Sequence, residues 1–260
     1  MKRFWKDLTG HYKYALYSAK SELKSEVANS YLNWIWWVLE PFCFMLIYTF
    51  IFGVIFNSRE PFFSAFVFIG LTAWEFFNRC LTQSVKLMRN NKSIVTKVYI
   101  PKFILLISKM FFNGYKMMIS FVIIVAMVIF FKIPLTWNVL FIVPIMLTLC
   151  VFTFACMTHL LHYGVFVQDL TNVVTIVLRM VFYMTGIFYN IETRLPERYI
   201  GILMKGNPMA LFLSSLRKCI LYGERPDMKW IAIWFVISII IAIFGVRKIY
   251  KNENSYVKVI

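Results

Sequence analysis

Trp137-Asn-Val-Leu-Phe-Ile-Val-Pro-Ile-Met-Leu-Thr-Leu-Cys-Val-Phe-Thr-Phe-Ala-Cys-Met-Thr-His-Leu-Leu-His-Tyr163 runs for 27 residues without an Asp, Glu, Lys or Arg. A helix rises about 1.5 Å per residue and the hydrocarbon core of a bilayer is about 30 Å thick, so this stretch is long enough to cross a membrane. Working outward, five further apolar runs occupy 34–56, 61–78, 103–131, 170–189 and 230–246. Together they predict an all-α membrane protein of six spans in a single domain covering 1–260. The chain is 60% hydrophobic and 15% charged, with a mean hydropathy of +0.70, which leaves no stretch suited to a soluble enzyme core.

Charge orients the spans. With the amino terminus inside, fifteen Lys or Arg fall in the cytoplasmic segments, against Arg59 and Lys132 in the two short outer loops. That asymmetry places both termini in the cytoplasm. The net charge of +16 follows the helix ends rather than one soluble face, so nucleic acid is not the expected partner. The first apolar run begins at Trp34 and is too long for a cleaved leader, so the first span is read as the anchor. Four of the five cysteines (Cys43, Cys80, Cys150 and Cys156) lie in or beside apolar runs, which argues against a disulfide framework.

The flanking segments carry their own patterns. Leu8, Tyr12, Leu16, Ala19, Leu23 and Val27 recur at helical spacing, with lysines off the stripe, and predict an amphipathic interfacial helix over about 8–29. Trp34, Trp36 and Trp37 would mark the inner edge of span one. The basic, polar segment 84–101 is too long for a simple turn and suits a short helix across the inner face. Between 190 and 228, Leu203, Met209, Leu211, Phe212, Leu213, Leu216 and Ile220 surround the break at Gly206-Asn207-Pro208. Apolar residues in an outer loop need cover, which two short helices re-entering the outer leaflet would supply.

Candidate chemistry is sparse. The chain has only three aspartates, Asp7, Asp169 and Asp227, and none stands in a recognisable acid–base or metal-ligand motif. Cys156, His159 and His162 share a helical face, which fits metal ligation or, more commonly, interhelical hydrogen bonding. No metal site is expected. Glu40, Glu75, Arg79, Lys109, Lys116 and Arg179 fall in the runs, where charge is costly. Lys116 and Arg179 sit too deep to reach water easily, so each is either a structural ion pair or a contact for an anionic substrate. No G-x-x-x-x-G-K-[ST] loop is present, so transport is either ion-coupled, with Glu75 the attractive acid, or driven by a nucleotide bound to another chain. A membrane-embedded transferase is the third class.

Specific motifs then narrow the choice. Ser30-Tyr-Leu-Asn-Trp-Ile-Trp-Trp-Val-Leu-Glu-Pro41 resembles the approach to the first span in membrane subunits of bacterial ABC exporters of polysaccharides and polyol phosphates. Ser30, Leu32, Trp36 and Pro41 match the S-x-L-G-x-x-W pattern and its following proline, with the proline one place late and Asn33 in place of glycine. Asn91-Lys-Ser-Ile-Val-Thr-Lys-Val-Tyr-Ile-Pro101 is similar to the family's N-x-x-L-I-x-K-x-x-F-P coupling helix. Gln168-Asp169 stands where Arg-Asp is common, Asn207-Pro208 matches an Asn-Pro before the last outer helix, and Glu26-Val27 departs from a frequent Arg-Tyr.

The resemblance implies a homodimeric permease in the bacterial cytoplasmic membrane, served by two copies of a nucleotide-binding ATPase. ATP and magnesium would be held by that partner, with no cofactor in this chain. The implied cargo is a lipid-linked O-antigen, capsule or teichoic-acid-like polymer. Asn91, Lys92, Ile94, Lys97 and Pro101 would contact the ATPase. Spans one and five would border the path, making Trp36, Phe44, Tyr48, Phe52, Tyr183 and Tyr189 candidates beside Lys116 and Arg179. Asn207, Pro208, Phe212 and Leu213 would form an outer gate.

Overall fold

The computed structural model describes residues 2–28, 35–55, 60–194 and 196–259. Trp34, the start of the Ser30 motif with Leu32 and Asn33, and most of the first outer turn lie outside them. Every described element is helical. Helix α1 (Lys2–Ala28) precedes α2 (Ile35–Tyr48), which continues as a π-helical stretch, Thr49–Ile55. Then come α3 (Phe63–Val85), the short α4 (Leu87–Asn90) and α5 (Lys92–Lys97), and the long α6 (Lys102–Phe130). A 3-10 turn, Trp137–Phe141, leads into α7 (Ile142–Phe166), followed by α8 (Leu170–Met184). The remainder is α9 (Ile191–Arg194), α10 (Glu197–Gly206), α11 (Pro208–Arg217) with a π turn over Lys218–Tyr222, and α12 (Met228–Val259).

Four segments are long and apolar enough to cross a membrane among the described residues: Ile35–Ile55, Lys102–Phe130, Trp137–Phe166 and Met228–Val259. The other two expected spans differ from the reading of their runs. Helix α3 reaches Val85, well past residue 78, because its polar end is held between neighbouring helices rather than released into a loop. Helix α8 stops at Met184 and not near 189, since the chain turns at Gly186, whose φ of +69° suits glycine. The last helix, expected to end at 246, continues for another thirteen residues, because Ile249 and Tyr256 stay buried beyond the apolar run.

Helix α3 is the hub. It packs on α6 and α7, while α7 in turn makes the most extensive contact of all with α12. With lipid as solvent, helix pairs gain from close approach, and small residues permit it. At Gly245 of α12 an added methyl would sit 1.9 Å from the Thr158 hydroxyl of α7. At Gly164 it would sit 2.2 Å from the Val85 carbonyl oxygen. A backbone oxygen cannot rotate away, so Gly164→Ala should force α7 off α3 at a cost of about 1–3 kcal/mol. Its unfolding midpoint in detergent should fall, whereas Gly201→Ala, with nothing within 4 Å, should leave it in place.

The histidines join α7 to α12. His159 Nε2 lies 3.2 Å from the Ile241 carbonyl oxygen, and His162 Nδ1 lies 2.7 Å from the Tyr256 hydroxyl. Helix α1 lies across α6 with Ala15 and Ala19 buried and Phe4 against Phe103. The inward ridge of α1 is therefore narrower than the sequence stripe, for Tyr12 and Leu16 are exposed.

Candidate translocation path and coupling segment

The coupling candidate is built on apolar anchors. Leu87, Met88, Val95 and Ile100 are buried, which seats α4 and α5 against the bundle. Asn91 joins the two turns, donating from Nδ2 to the Leu87 carbonyl at 2.8 Å. Arg89 donates to the Val165 carbonyl at the end of α7 at 3.3 Å. What remains outward is Lys92, Ile94, Lys97, Val98 and Tyr99, a mixed basic and apolar face. Pro101 is buried and caps the start of α6, so within the subunit it positions the segment and does not form its outward face.

Tyr99 ties this face to both ends of the chain. Its hydroxyl accepts from Arg3 Nη2 at 2.7 Å, and the same nitrogen donates to Glu253 Oε1 of α12 at 2.8 Å. The Glu253 hydrogen bond, then that of Tyr99, raises the Arg3 pKa above its ordinary value. Tyr250 donates to Asp7 at 2.6 Å beside it, joining α12 to α1 a second time.

Charge in the membrane segments is largely paired. Arg79 of α3 bridges Glu75 at 2.9 Å and Glu40 of α2 at 3.2 Å. Lys116 of α6 bonds Glu26 of α1 at 2.6 Å, with its ammonium 4.4 Å from the Phe112 ring centre, and Lys109 pairs with Glu22. Glu40, Glu75, Arg79 and Lys116 line one cavity of about 180 Å³ together with Phe44 and Tyr48. Lys116 is thus ion-paired at a cavity wall. Arg179 is exposed on α8, away from that cavity and without an ion pair among the described residues.

Aromatic rings continue upward from this cavity. Phe44 and Tyr48 stack with centroids 6.2 Å apart, and Tyr48 and Phe52 follow at 6.5 Å, as expected for one face of one helix. Phe188 closes on both Tyr48, at 4.4 Å, and Phe52, at 4.7 Å. Through Phe182, Trp74, Phe77 and Phe152 the rings reach Phe212 of α11. Phe188 was missed in the sequence, although it neighbours the expected Tyr189; only the turn at Gly186 directs it inward. Trp36 does not line the charged cavity; it is exposed and borders a separate hollow with Leu39, Glu40, Cys43 and Phe44. Tyr183 is exposed, and the Tyr189 hydroxyl donates to the Tyr183 carbonyl at 3.0 Å.

In the outer segment the single turn of α9 is followed by α10 and α11, which meet at the Gly206-Asn207-Pro208 break. Asn207 caps α11 by accepting from Met209 N at 3.1 Å and Ala210 N at 3.3 Å, and Pro208 takes the first turn, where its missing N–H costs nothing. Phe212 and Leu213, expected to line a gate, are fully buried within the subunit. Their cover comes from α3, α7 and α12, so their side chains face packed protein and not an open exit. Helix α10 instead presents Tyr199 and Ile202 outward.

Arg217 locks α11 in place. Its fully buried guanidinium donates from Nε to the Phe66 carbonyl at 3.1 Å, from Nη1 to Gly186 at 2.8 Å and from Nη2 to Ile187 at 2.9 Å. It also stacks 3.5 Å from the Phe66 ring centre. Nearby, Glu192 accepts from Lys218 at 2.7 Å, and Glu60 accepts from the Tyr222 hydroxyl at 3.0 Å. Burial and the Glu60 charge raise the Tyr222 pKa, keeping it a donor at neutral pH.

Comparison with known proteins fits this arrangement. The family model described as ABC-2 type transporter matches residues 16–221. The chain belongs to the ABC-2 type transporter family. It is similar to the O-antigen export system permease protein RfbA of Myxococcus xanthus, at 24% identity over 234 residues and 90% of each chain. A second relative of that name, from Klebsiella pneumoniae, is 24% identical over 240 residues and 92% of each chain. In this ABC-2 chain the matched region holds α2 to α11 entire, and so includes the coupling candidate, the charged cavity and the Arg217 lock. It stops before α12.

Proposed function

We propose that the chain is the permease half of an ATP-driven exporter of a lipid-linked cell-surface polysaccharide or teichoic-acid-like polymer. It would act as a homodimer in the bacterial cytoplasmic membrane, with α3 and α8 completing six spans and both termini inside. Two copies of a separate chain would bind ATP and magnesium. The observation that carries this reading is the similarity to O-antigen export permeases over nine-tenths of both lengths.

The geometry supports it at two places. The basic and apolar face around Lys92 and Lys97 suits a protein partner, and its tie through Tyr99 and Arg3 to α12 would pass motion into the bundle. The ladder of Phe44, Tyr48 and Phe52 suits sugars, since ring faces stack on the apolar faces of pyranoses without requiring one register. Helices α10 and α11 would close the outer end, with α10 in contact with the leaflet. An ion-coupled reading has less support, because its acid, Glu75, is already bridged by Arg79.

The test is to delete the chain from its native cell, measure surface polymer, and restore it with an affinity-tagged copy. Surface polymer should vanish on deletion while lipid-linked polymer accumulates inside, and a nucleotide-hydrolysing chain should purify with the tagged copy. Normal surface polymer without the chain, or export without any ATPase partner, would refute the assignment.

A further inference from the structure

A second cavity is larger than the charged one. A groove of about 1130 Å³ runs between α1, α6 and α7, exceeding the roughly 300–1,000 Å³ of ordinary small-molecule pockets. Its walls are apolar: Leu16, Ala19 and Leu23 from α1, Phe111 and Met118 from α6, and Phe154 from α7. From Leu16 to Val27 it follows α1 for about 17 Å, close to the depth of one leaflet of a hydrocarbon core about 30 Å thick, and Phe4 lines it separately. Trp37, Phe76 and Met117 separate it from the charged cavity, for all three line both.

Charge at the lip is one-sided. Lys20 and Lys24 line the groove one helical turn apart, so their side chains stand side by side. The two acids of this part of α1 are occupied, Glu22 by Lys109 and Glu26 by Lys116. Neither Lys20 nor Lys24 has a carboxylate partner among the described residues. A long apolar trough with two free ammonium groups at its edge complements a hydrocarbon chain bearing an anionic head.

We propose that this groove is a binding site for an anionic bilayer phospholipid, its acyl chain lying between α1 and α6 and its phosphate bridging Lys20 and Lys24. The lipid would fill the space under α1 and set that helix at the membrane surface. The groove is divided from the aromatic ladder by the Trp37 wall, so the occupant is a resident lipid and not the exported cargo. Nothing in the proposal depends on which polymer is moved.

The experiment reconstitutes the full-length chain into nanodiscs containing equal parts phosphatidylglycerol and phosphatidylcholine, and reads retained lipid by native mass spectrometry. Each near-surface lysine contributes about a fivefold preference for an anionic head, so the wild type should favour phosphatidylglycerol by roughly thirtyfold. Lys20→Gln with Lys24→Gln should bring the ratio near one while a lipid is still held, and Lys24→Gln alone should fall between. Gly114→Leu grows from the groove floor, where the nearest atom to an added Cβ is Phe76 Cε2 at 4.0 Å, and should expel lipid of either head. Equal retention of both lipids by the wild type would overturn the proposal. So would an unchanged lipid count in Gly114→Leu, or displacement of phosphatidylglycerol by an added prenyl-linked saccharide.

Discussion

Arg217→Met should remove most of the folded subunit from the membrane. The substitution keeps the volume but leaves the Gly186 and Ile187 carbonyls, which lie in a bend outside any helix, without their donors. Each buried carbonyl so orphaned costs about 1–3 kcal/mol, giving roughly 2–6 kcal/mol against a domain stability on the order of 5–15 kcal/mol. Arg217→Lys keeps the charge but not the planar fork that reaches three oxygens in different directions, so it should be intermediate. The measurement is the yield of monodisperse protein after detergent extraction and its unfolding midpoint. A Met variant that melts with the wild type would show that α11 is held by its apolar contacts alone.

Reversing both exposed lysines, Lys92→Glu with Lys97→Glu, should abolish export while leaving the subunit folded. Both side chains are exposed and make no ion pair among the described residues, so their loss removes no internal contact. Opposing charge at an interface costs several kcal/mol, which is a hundredfold or more in affinity for the ATPase partner. Surface polymer and co-purified ATPase should fall together. Normal export from a fully expressed double variant would remove 92–97 from the coupling role.

The lipid-facing elements were legible because a bilayer demands long apolar helices, and 137–163 announces itself without any tertiary information. The interhelical role of His159 and His162 was legible for a similar reason: three-residue spacing puts both on one helical face. What escaped was whatever depends on which face meets which neighbour. Phe212 and Leu213 were read as a gate because a linear pattern cannot tell protein cover from lipid cover. Arg217 passed as one of seven basic residues in a long outer segment. Its one signal was position, four residues after Leu213 and one after Leu216, on the buried stripe of α11. Glu22 and Glu26 likewise gave no hint that their partners stood some ninety residues away.

Helix α8 has fifteen residues and so measures about 22 Å, while α6, with twenty-nine, measures about 43 Å. Val173, Ile176, Val177 and Met180 of α8 are exposed on the subunit. If α8 is the fifth span, hydrocarbon that meets it would contract toward the shorter helix, at fractions of a kcal/mol for each ångström of mismatch. A six-span subunit would then not meet a membrane of one thickness. It would draw the bilayer thin beside α8 and leave it full beside α6, so lipid chain length would become a variable that acts on α8 first.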